Sequence, residues 1–176
     1  SATVQHVDDA EDADVIIHEY GHALSHHANV NDLLGWARKS VDEGVCDFLA
    51  AVYSHRISDF NAERVYTWDG HNPYWEGRFC VSDLKGSSYS NKNTLYKNGE
   101  IICAALFDIY LKLGADVTQK ILINSMYSYA DRMDFFEPAK LFLISEKELY
   151  DGQYASTICQ VFNDYELIEE DYCRTG

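Results

Sequence analysis

The sequence predicts a mainly α-helical fold of several packed helices, forming a single domain over residues 1–176. Apolar residues recur at helical spacing near the start of the chain and through its last third. With 47% apolar and 14% aromatic residues, the chain can bury a substantial core. Residues 57–98 lack this periodicity and are rich in Gly, Ser, Asn and aromatic residues. A loop-like stretch this long usually shapes a site, and we expect it to form one wall of a cleft.

The first helix is predicted to begin at a cap formed by Asp12 or Asp14 and to end near Ala28. Its apolar residues cover several sides, so it is expected to be buried. A second helix is predicted over about residues 40–55, because apolar residues recur there at helical spacing. These residues are Val45, Phe48, Leu49 and Val52.

Four further helices are predicted from residue 101 onward, with glycine or proline at several of their limits. The first of them ends at Gly114, a later one begins at Pro138, and Gly152 precedes the last. Asp116 with Gln119 resembles a capping box, which predicts the start of another helix.

The formal net charge of -15 argues against partners that carry a phosphate backbone or an anionic lipid surface. We therefore predict neither nucleic acid nor membrane partners. No stretch approaches the ~18 consecutive apolar residues of a membrane span. Residues 1–14 are acidic, unlike a secretory leader.

The five cysteines form neither a CxxC pair nor the dense framework of a small disulfide-rich protein. Their odd number leaves at least one thiol without a partner in the chain. Cys46 and Cys103 lie in apolar helical stretches and are predicted to be small buried hydrophobic residues. The redox compartment is left open by this pattern.

Residues 18–22 read His-Glu-Tyr-Gly-His, an HExxH motif within the first predicted helix. Four helical residues rotate the chain by about 400°, which brings His18 and His22 onto one face, one turn apart. Two solvated histidines on a helix surface are the alternative, but the apolar residues flanking the motif disfavour it. The motif therefore favours a zinc site.

Catalytic zinc generally has three protein ligands and one position for water. His26 lies about 12 Å along the helix from His18, at 1.5 Å per residue, which is too far for one tetrahedral site. Position 28, where one zinc class has its third histidine, is Ala28.

The better third ligand is Glu43, in an acidic cluster that opens the second helix. Asp47 lies one turn further on and can accept the free ring N–H of a ligand histidine. The alternative is that Asp42 and Glu43 only stabilise the positive end of a helix while Asp47 is solvated. The apolar run that follows Asp47 disfavours this alternative.

HExxH followed about 20 residues later by E-G-x-x-D-F resembles the gluzincin metallopeptidases of the thermolysin and fungalysin type. The sequence H-E-Y-G-H-A is most similar to the fungalysin-like branch and its bacterial relatives. Residues 7–14 and the stretch Asn-Gly-Glu-Ile-Ile at 98–102 extend the resemblance. It implies a secreted or cell-surface zinc endopeptidase that acts on polypeptides. The implied site has His18, His22 and Glu43 as ligands, Glu19 as general base, Asp47 behind His18 and Asp42 behind His22.

The chain departs from this family where the family usually has a histidine that stabilises the oxyanion, because it has Tyr96 there. Three alternatives stay open: Tyr96 substitutes for the histidine, His71 enters the cleft, or catalysis is impaired. Arg78 resembles the family arginine that contacts the substrate backbone, with an ordinary surface arginine as the alternative. Trp68, Tyr74 and Trp75 either line subsites or pack in the core.

Only 17 residues precede His18, too few for the β-rich lobe that thermolysin-like enzymes have before this motif. We therefore expect the chain to be a fragment of a longer protein, in which a preceding N-terminal segment packs against it as a partner. Besides a zinc endopeptidase, two functions compete. One is a catalytically silent, zinc-stabilised module that binds polypeptides, and the other is an interaction domain in which HExxH is accidental.

Overall fold

The computed structural model describes residues 11–29, 34–67 and 75–174. These residues are mainly helical, which confirms the predicted fold class. The α-helices are α1 Ala13–Ala28, α2 Trp36–His55, α3 Leu95–Leu113, α4 Ala115–Met126, α5 Glu137–Tyr150 and α6 Ala155–Asp164. Their apolar faces meet in a core that runs through α2, α3, α4, α5 and α6.

Asp12 caps α1, and its side chain accepts a hydrogen bond of 2.8 Å from the backbone N–H of Asp14. The predicted cap and the predicted end near Ala28 are both confirmed. The predicted burial of α1 is wrong, because Ile16 and Tyr20 are exposed and the buried stripe consists of Asp14, His18, Gly21 and Ser25. Buried polar groups require hydrogen-bond partners, so the side chains of this stripe must contact polar groups on neighbouring elements.

α2 is the central helix, with α1 packed on one side and α3 on another. It begins at Trp36, four positions before the predicted start, and its N-cap Gly35 has no side chain to cap it. Every residue from 41 to 52 is buried except Glu43, whose side chain is 16% exposed. The one accessible position in this stretch is thus the predicted zinc ligand.

The described residues between α2 and α3, 56–67 and 75–94, are irregular, as predicted, apart from two short strands and a 3-10 turn at Gly86–Ser88. Strand β1, Arg64–Val65, pairs antiparallel with β2, Arg78–Phe79. α3 begins at Leu95 instead of near residue 101, because Thr94 accepts a hydrogen bond of 3.1 Å from the N–H of Lys97. Residues 95–98 are therefore the first turn of α3 and not part of the loop.

The predicted capping box of Asp116 with Gln119 is wrong. Gly114, at φ 83°, ends α3 and is also the N-cap of α4, with no side-chain capping hydrogen bond. Asp116 instead lies in the first turn of α4, where its charge suits the helix N-terminus. The other two limits are confirmed, since Pro138 lies in the first turn of α5 and Gly152 precedes α6.

Cys159 in α6 forms a disulfide with Cys173 in a 3-10 segment, Glu170–Arg174. The other cysteines, Cys46, Cys80 and Cys103, are free and buried. The predicted burial of Cys46 and Cys103 is confirmed. Among the described residues, the helices are all too short or too polar to cross a bilayer.

Candidate metal centre

The two histidines of the HExxH motif project from α1 toward α2. Their ring centroids are 4.7 Å apart, and the rings are nearly perpendicular. His18 is buried, whereas 29% of the His22 side chain is exposed. One face of the pair is therefore open to solvent, as an accessible metal site requires.

Glu43 on α2 faces both rings with its carboxylate. Its Oε2 lies 3.4 Å from His18 Nε2, and its Oε1 lies 3.8 Å from His22 Nε2. Ligand atoms around tetrahedral zinc, with bonds of about 2.0–2.1 Å, are separated by about 3.4 Å. Each histidine thus lies near a different oxygen of Glu43, at a distance close to the separation of two ligands of one zinc ion.

Each histidine has an aspartate beside its other ring nitrogen. His22 Nδ1 lies 2.6 Å from Asp42 Oδ2, within hydrogen-bonding distance. His18 Nδ1 lies 2.8 Å from Asp47 Oδ1, although this contact is poorly aligned and the nitrogen has no well-directed hydrogen-bond partner among the described residues. A carboxylate beside Nδ1 favours the tautomer with the proton on Nδ1, which leaves the Nε2 lone pair for a metal.

The charges of the metal-free site are strongly coupled. Burial lowers the pKa of His18, but its contacts with Asp47 and Glu43 raise it to about 9. The hydrogen bond with Asp42 likewise raises the pKa of His22 against the opposing effect of burial. Burial favours a raised pKa for Glu43, yet both histidines and Arg78 hold that pKa below its usual range. Near neutral pH, His18 therefore carries both ring protons while Glu43 is ionised.

Arg78 on β2 contacts the predicted ligand and the aspartate beside it. Its Nη1 donates hydrogen bonds of 3.1 Å to Glu43 Oε2 and of 3.1 Å to Asp47 Oδ2. The family resemblance predicted a contact between Arg78 and the substrate backbone, and this contact stays a prediction. What the structure shows is a guanidinium that orients the Glu43 carboxylate.

Tyr96 lies in the first turn of α3 at the edge of this cluster. Its ring centroid is 4.1 Å from Arg78 Cζ, while the ring of Tyr66 lies 4.8 Å from the same atom. The Tyr96 side chain is half exposed, so it lies at the accessible edge of this cluster. His71, the other candidate for the same role, lies outside the described residues, as do Trp68 and Tyr74.

Tyr66 and Asp14 hold the buried side of the site in place, and the sequence offered no signal for either role. The Tyr66 hydroxyl donates a hydrogen bond of 3.0 Å to Asp47 Oδ1. The backbone N–H of Tyr66 donates in turn to Asp14 Oδ2, at 2.8 Å. Asp14 Oδ1 also accepts from the hydroxyl of Ser54 on α2. The irregular segment is thereby fastened to both helices of the site.

Glu19, the predicted general base, follows His18 on α1 and is exposed. Trp75 is 40% exposed, and its ring centroid lies 5.5 Å from that of Tyr66. It therefore lies near the site and is not a core residue. His26, which its distance along the helix excluded as a ligand, is exposed, and so is His27.

Cys46 offers a second possible set of ligands. A ligand atom from each of His18, His22 and Cys46 lies within 4.8 Å of the others, and Cys46 Sγ is 3.3 Å from His22 Nδ1. That nitrogen, however, is also 2.6 Å from Asp42 Oδ2, so it is already engaged. Burial and the surrounding carboxylates also raise the pKa of the Cys46 thiol far above its usual range. We therefore favour Glu43 as the third ligand.

Gly21 explains how α1 comes so close to Cys46. A β-carbon on Gly21 would lie 2.9 Å from Cys46 Sγ and 3.2 Å from Cys46 Cα. Glycine inside a helix costs about 1 kcal/mol relative to alanine, and the close crossing of α1 and α2 is the packing reason for it here. This crossing sets the distance between the histidines and α2.

The chain matches no protein-family model, and comparison with curated proteins finds no significant similarity. The resemblance to gluzincins therefore stays a hypothesis. It depends on the two motifs and on the arrangement of the residues that they contain.

Proposed function

We propose that the chain is the zinc-bearing part of a gluzincin-type endopeptidase, with His18, His22 and Glu43 as its metal ligands. One observation carries this proposal. The Nε2 atoms of both histidines converge on the two oxygens of Glu43, while an aspartate stands beside each Nδ1. An HExxH sequence that arose by chance would not be expected to bring two histidines together with a shared glutamate and one aspartate each.

The donor set fits zinc. Two imidazole nitrogens and one carboxylate are a known ligand set of catalytic zinc, and three protein ligands leave one position for water. Glu43 Oε2 accepts from Arg78, whereas Oε1 has no hydrogen-bond donor among the described residues. Oε1 of Glu43 is thus available to bind a metal.

The proposed activity is hydrolysis of a peptide bond. Zinc, when bound, polarises the scissile carbonyl and lowers the pKa of a water molecule. Glu19 follows His18 on α1 and is exposed, and in this proposal it accepts the proton of the attacking water and delivers it to the leaving amine. Tyr96 contributes a phenolic donor at the rim, where it can hydrogen bond to the developing oxyanion.

The disulfide supports the expected secreted or cell-surface location. Disulfides persist mainly in oxidising compartments, and Cys159–Cys173 is of the intramolecular, structural kind. The net charge of -15 would repel a nucleic acid. It therefore favours a polypeptide over a nucleic acid as the substrate.

The zinc assignment is tested by metal analysis of the purified chain. We expect one zinc per chain in the wild type and a large loss in the Glu43→Ala variant, because two histidines alone bind zinc weakly. His26→Gln is the matched control, since His26 is exposed on the same helix as the ligands. Stoichiometric zinc in the Glu43→Ala protein would contradict the ligand set.

The catalytic assignment is tested by hydrolysis of an unfolded protein substrate at fixed zinc occupancy. Glu19→Gln is expected to lower the rate by about 10²- to 10⁴-fold, the usual contribution of a general base. The variant should keep its zinc, because Glu19 is not a ligand. Equal rates for wild type and variant would exclude the role given to Glu19.

A catalytically silent, zinc-stabilised binding module is the second candidate. It is favoured by Tyr96, which stands where the family usually has a histidine and whose ring is stacked on Arg78. In that case the wild type binds zinc but hydrolyses no substrate. The same two assays therefore separate the enzyme from the module.

A further inference from the structure

We propose that Arg38 is a positioning residue for the second histidine ligand and that it acts through Asp42. This inference rests on the proposed zinc site. Arg38 Nη1 contacts Asp42 Oδ1 at 3.3 Å, and the other oxygen of Asp42 is the one beside His22. The two oxygens of Asp42 thus have separate partners, one on each side.

Arg38 also ties together three parts of the fold at this point. Its Nη2 donates a hydrogen bond of 2.9 Å to Ser25 Oγ on α1, one turn beyond His22. Its Cζ lies 5.2 Å from the ring centroid of Tyr129, which follows α4. Since Arg38 and Asp42 are one turn apart on α2, the guanidinium fixes the separation of α1 and α2 at the level of His22.

The charge of Asp42 requires a buried cation. Asp42 is 2% exposed and is adjacent in sequence to Glu43, so a second carboxylate lies close by. Arg38 is also 2% exposed, and it is the one lysine or arginine in the described part of the chain whose side chain is buried. Taking a carboxylate out of water is costly unless a cation and hydrogen bonds compensate it. A metal-bound histidine is itself neutral, so Arg38 is the cationic side chain in direct contact with Asp42.

The two histidines are therefore held in parallel ways. Asp47, beside His18, receives hydrogen bonds from Arg78 and Tyr66. Asp42, beside His22, receives its contact from Arg38. Each ligand histidine has its own aspartate, and each aspartate has its own arginine. Ser25, which Arg38 contacts, also hydrogen bonds to Asp42, so without Arg38 the carboxylate would keep a neutral donor but lose its buried cation, and it could rotate away from His22.

The test is a double-mutant cycle on zinc affinity, measured on the full chain by competition with a chelating dye. Outer partners of metal ligands typically change affinity by about 10- to 100-fold, so Arg38→Met is expected to weaken zinc binding about 10-fold. In an Asp42→Asn background the same change is expected to cost less than about 3-fold, because no buried charge needs compensation. The asparagine side chain of that background can still accept from His22 through its carbonyl oxygen.

Two further variants make the test specific. Arg38→Lys keeps the charge and is expected to recover part of the affinity. Lys39→Met, at the exposed neighbouring position on α2, is expected to bind zinc like the wild type. If Arg38→Met does not fold, Arg38→Lys replaces it in both backgrounds, and the cycle is read in the same way.

A purely structural role for Arg38 would give a different result. In that case Arg38→Met lowers the melting temperature but leaves zinc affinity unchanged, or weakens it equally in both backgrounds. Either result overturns the inference while the zinc site stands. If the wild type itself binds no zinc, the proposed function fails first and the inference falls with it.

Discussion

Gly44 on α2 lies so close to Gly99 on α3 that a β-carbon on Gly44 would be 2.3 Å from the carbonyl oxygen of Gly99. The approach is mutual, because a β-carbon on Gly99 would lie 2.9 Å from the backbone nitrogen of Gly44. Glu43 and Tyr96 lie beside this contact, on α2 and in the first turn of α3. The distance between the proposed ligand and the rim of the site therefore depends on two glycines.

The change Gly44→Ala tests this close packing. Helix propensity alone predicts that alanine would stabilise the protein by about 1 kcal/mol. The steric contact with Gly99 is against backbone, which cannot move aside cheaply, so we expect a net loss of about 1–3 kcal/mol in the free energy of unfolding. Urea denaturation measures it. Ala23→Gly, on the exposed face of α1, gives the propensity effect by itself, and increased stability of Gly44→Ala would contradict the packing.

The metal-free protein is expected to lose stability as the pH rises from about 6.5 to 9. The pKa of His18 is raised from 6.5 to about 9 in the folded protein, so the fold binds this proton more tightly than the unfolded chain does. The resulting stabilisation is fully present below pH 6.5 and is lost as the pH rises through 9. The slope is at most about 1.4 kcal/mol per pH unit for one proton.

Urea denaturation across this pH range, after removal of metal with a chelator, measures the effect. His18→Asn is the control, and its profile should be flatter than that of the wild type. Zinc binding has the opposite pH dependence, because the metal requires neutral histidines and its affinity rises as they lose protons. Equal slopes for the wild type and His18→Asn would mean that the folded site does not retain this proton.

The sequence predicted the helices best where local signals decide them. α1 begins at Asp12 because a side-chain oxygen caps it, and this is visible in the sequence. α2 begins at Trp36 after Gly35, which has φ 94° and no capping side chain, so its start depends on the rest of the fold. The same holds for Gly114, which replaces the predicted capping box at Asp116.

The residues of the candidate site also divide into those that local sequence patterns predict and those that depend on the rest of the fold. The spacing of His18 and His22 and the acidic start of the second motif point to the three proposed ligands. The residues that hold those ligands come from distant parts of the chain, and no periodicity links them. Arg78 reaches Asp47 across 31 positions, and Tyr66 reaches Asp14 across 52. Such partners depend on how the irregular segment folds over α1 and α2, which local patterns do not determine.

Replacement of Arg78 by glutamine is expected to destabilise the metal-free protein more than the zinc-bound protein. Arg78 is the cation shared by Glu43 and Asp47, whose side chains are 16% and 3% exposed. Removing one partner of such a largely buried group leaves uncompensated charge, and we expect a cost of about 2–4 kcal/mol without zinc. Bound zinc partly compensates the same carboxylates, so the cost should shrink at saturating zinc.

Denaturation with a chelator and with excess zinc compares the two states. Arg64→Gln is the matched control, because Arg64 lies in the partner strand and its ion pair with Glu76 is largely exposed. Its effect should stay within about 0.5 kcal/mol in both states. An equal cost of Arg78→Gln with and without zinc would separate Arg78 from the proposed metal site.

The disulfide between Cys159 and Cys173 is expected to stabilise the C-terminal part of the fold. It links residues 14 positions apart and fastens the 3-10 segment Glu170–Arg174 to α6. Closing a loop of this size restricts the unfolded chain, and the expected contribution is about 3 kcal/mol. Cys173→Ser should therefore lower the free energy of unfolding by that amount, as should a reducing agent added to the wild type. The reducing agent should have no further effect on the variant, because its other cysteines are already free thiols, and a further loss there would show that a second bond stabilises the fold.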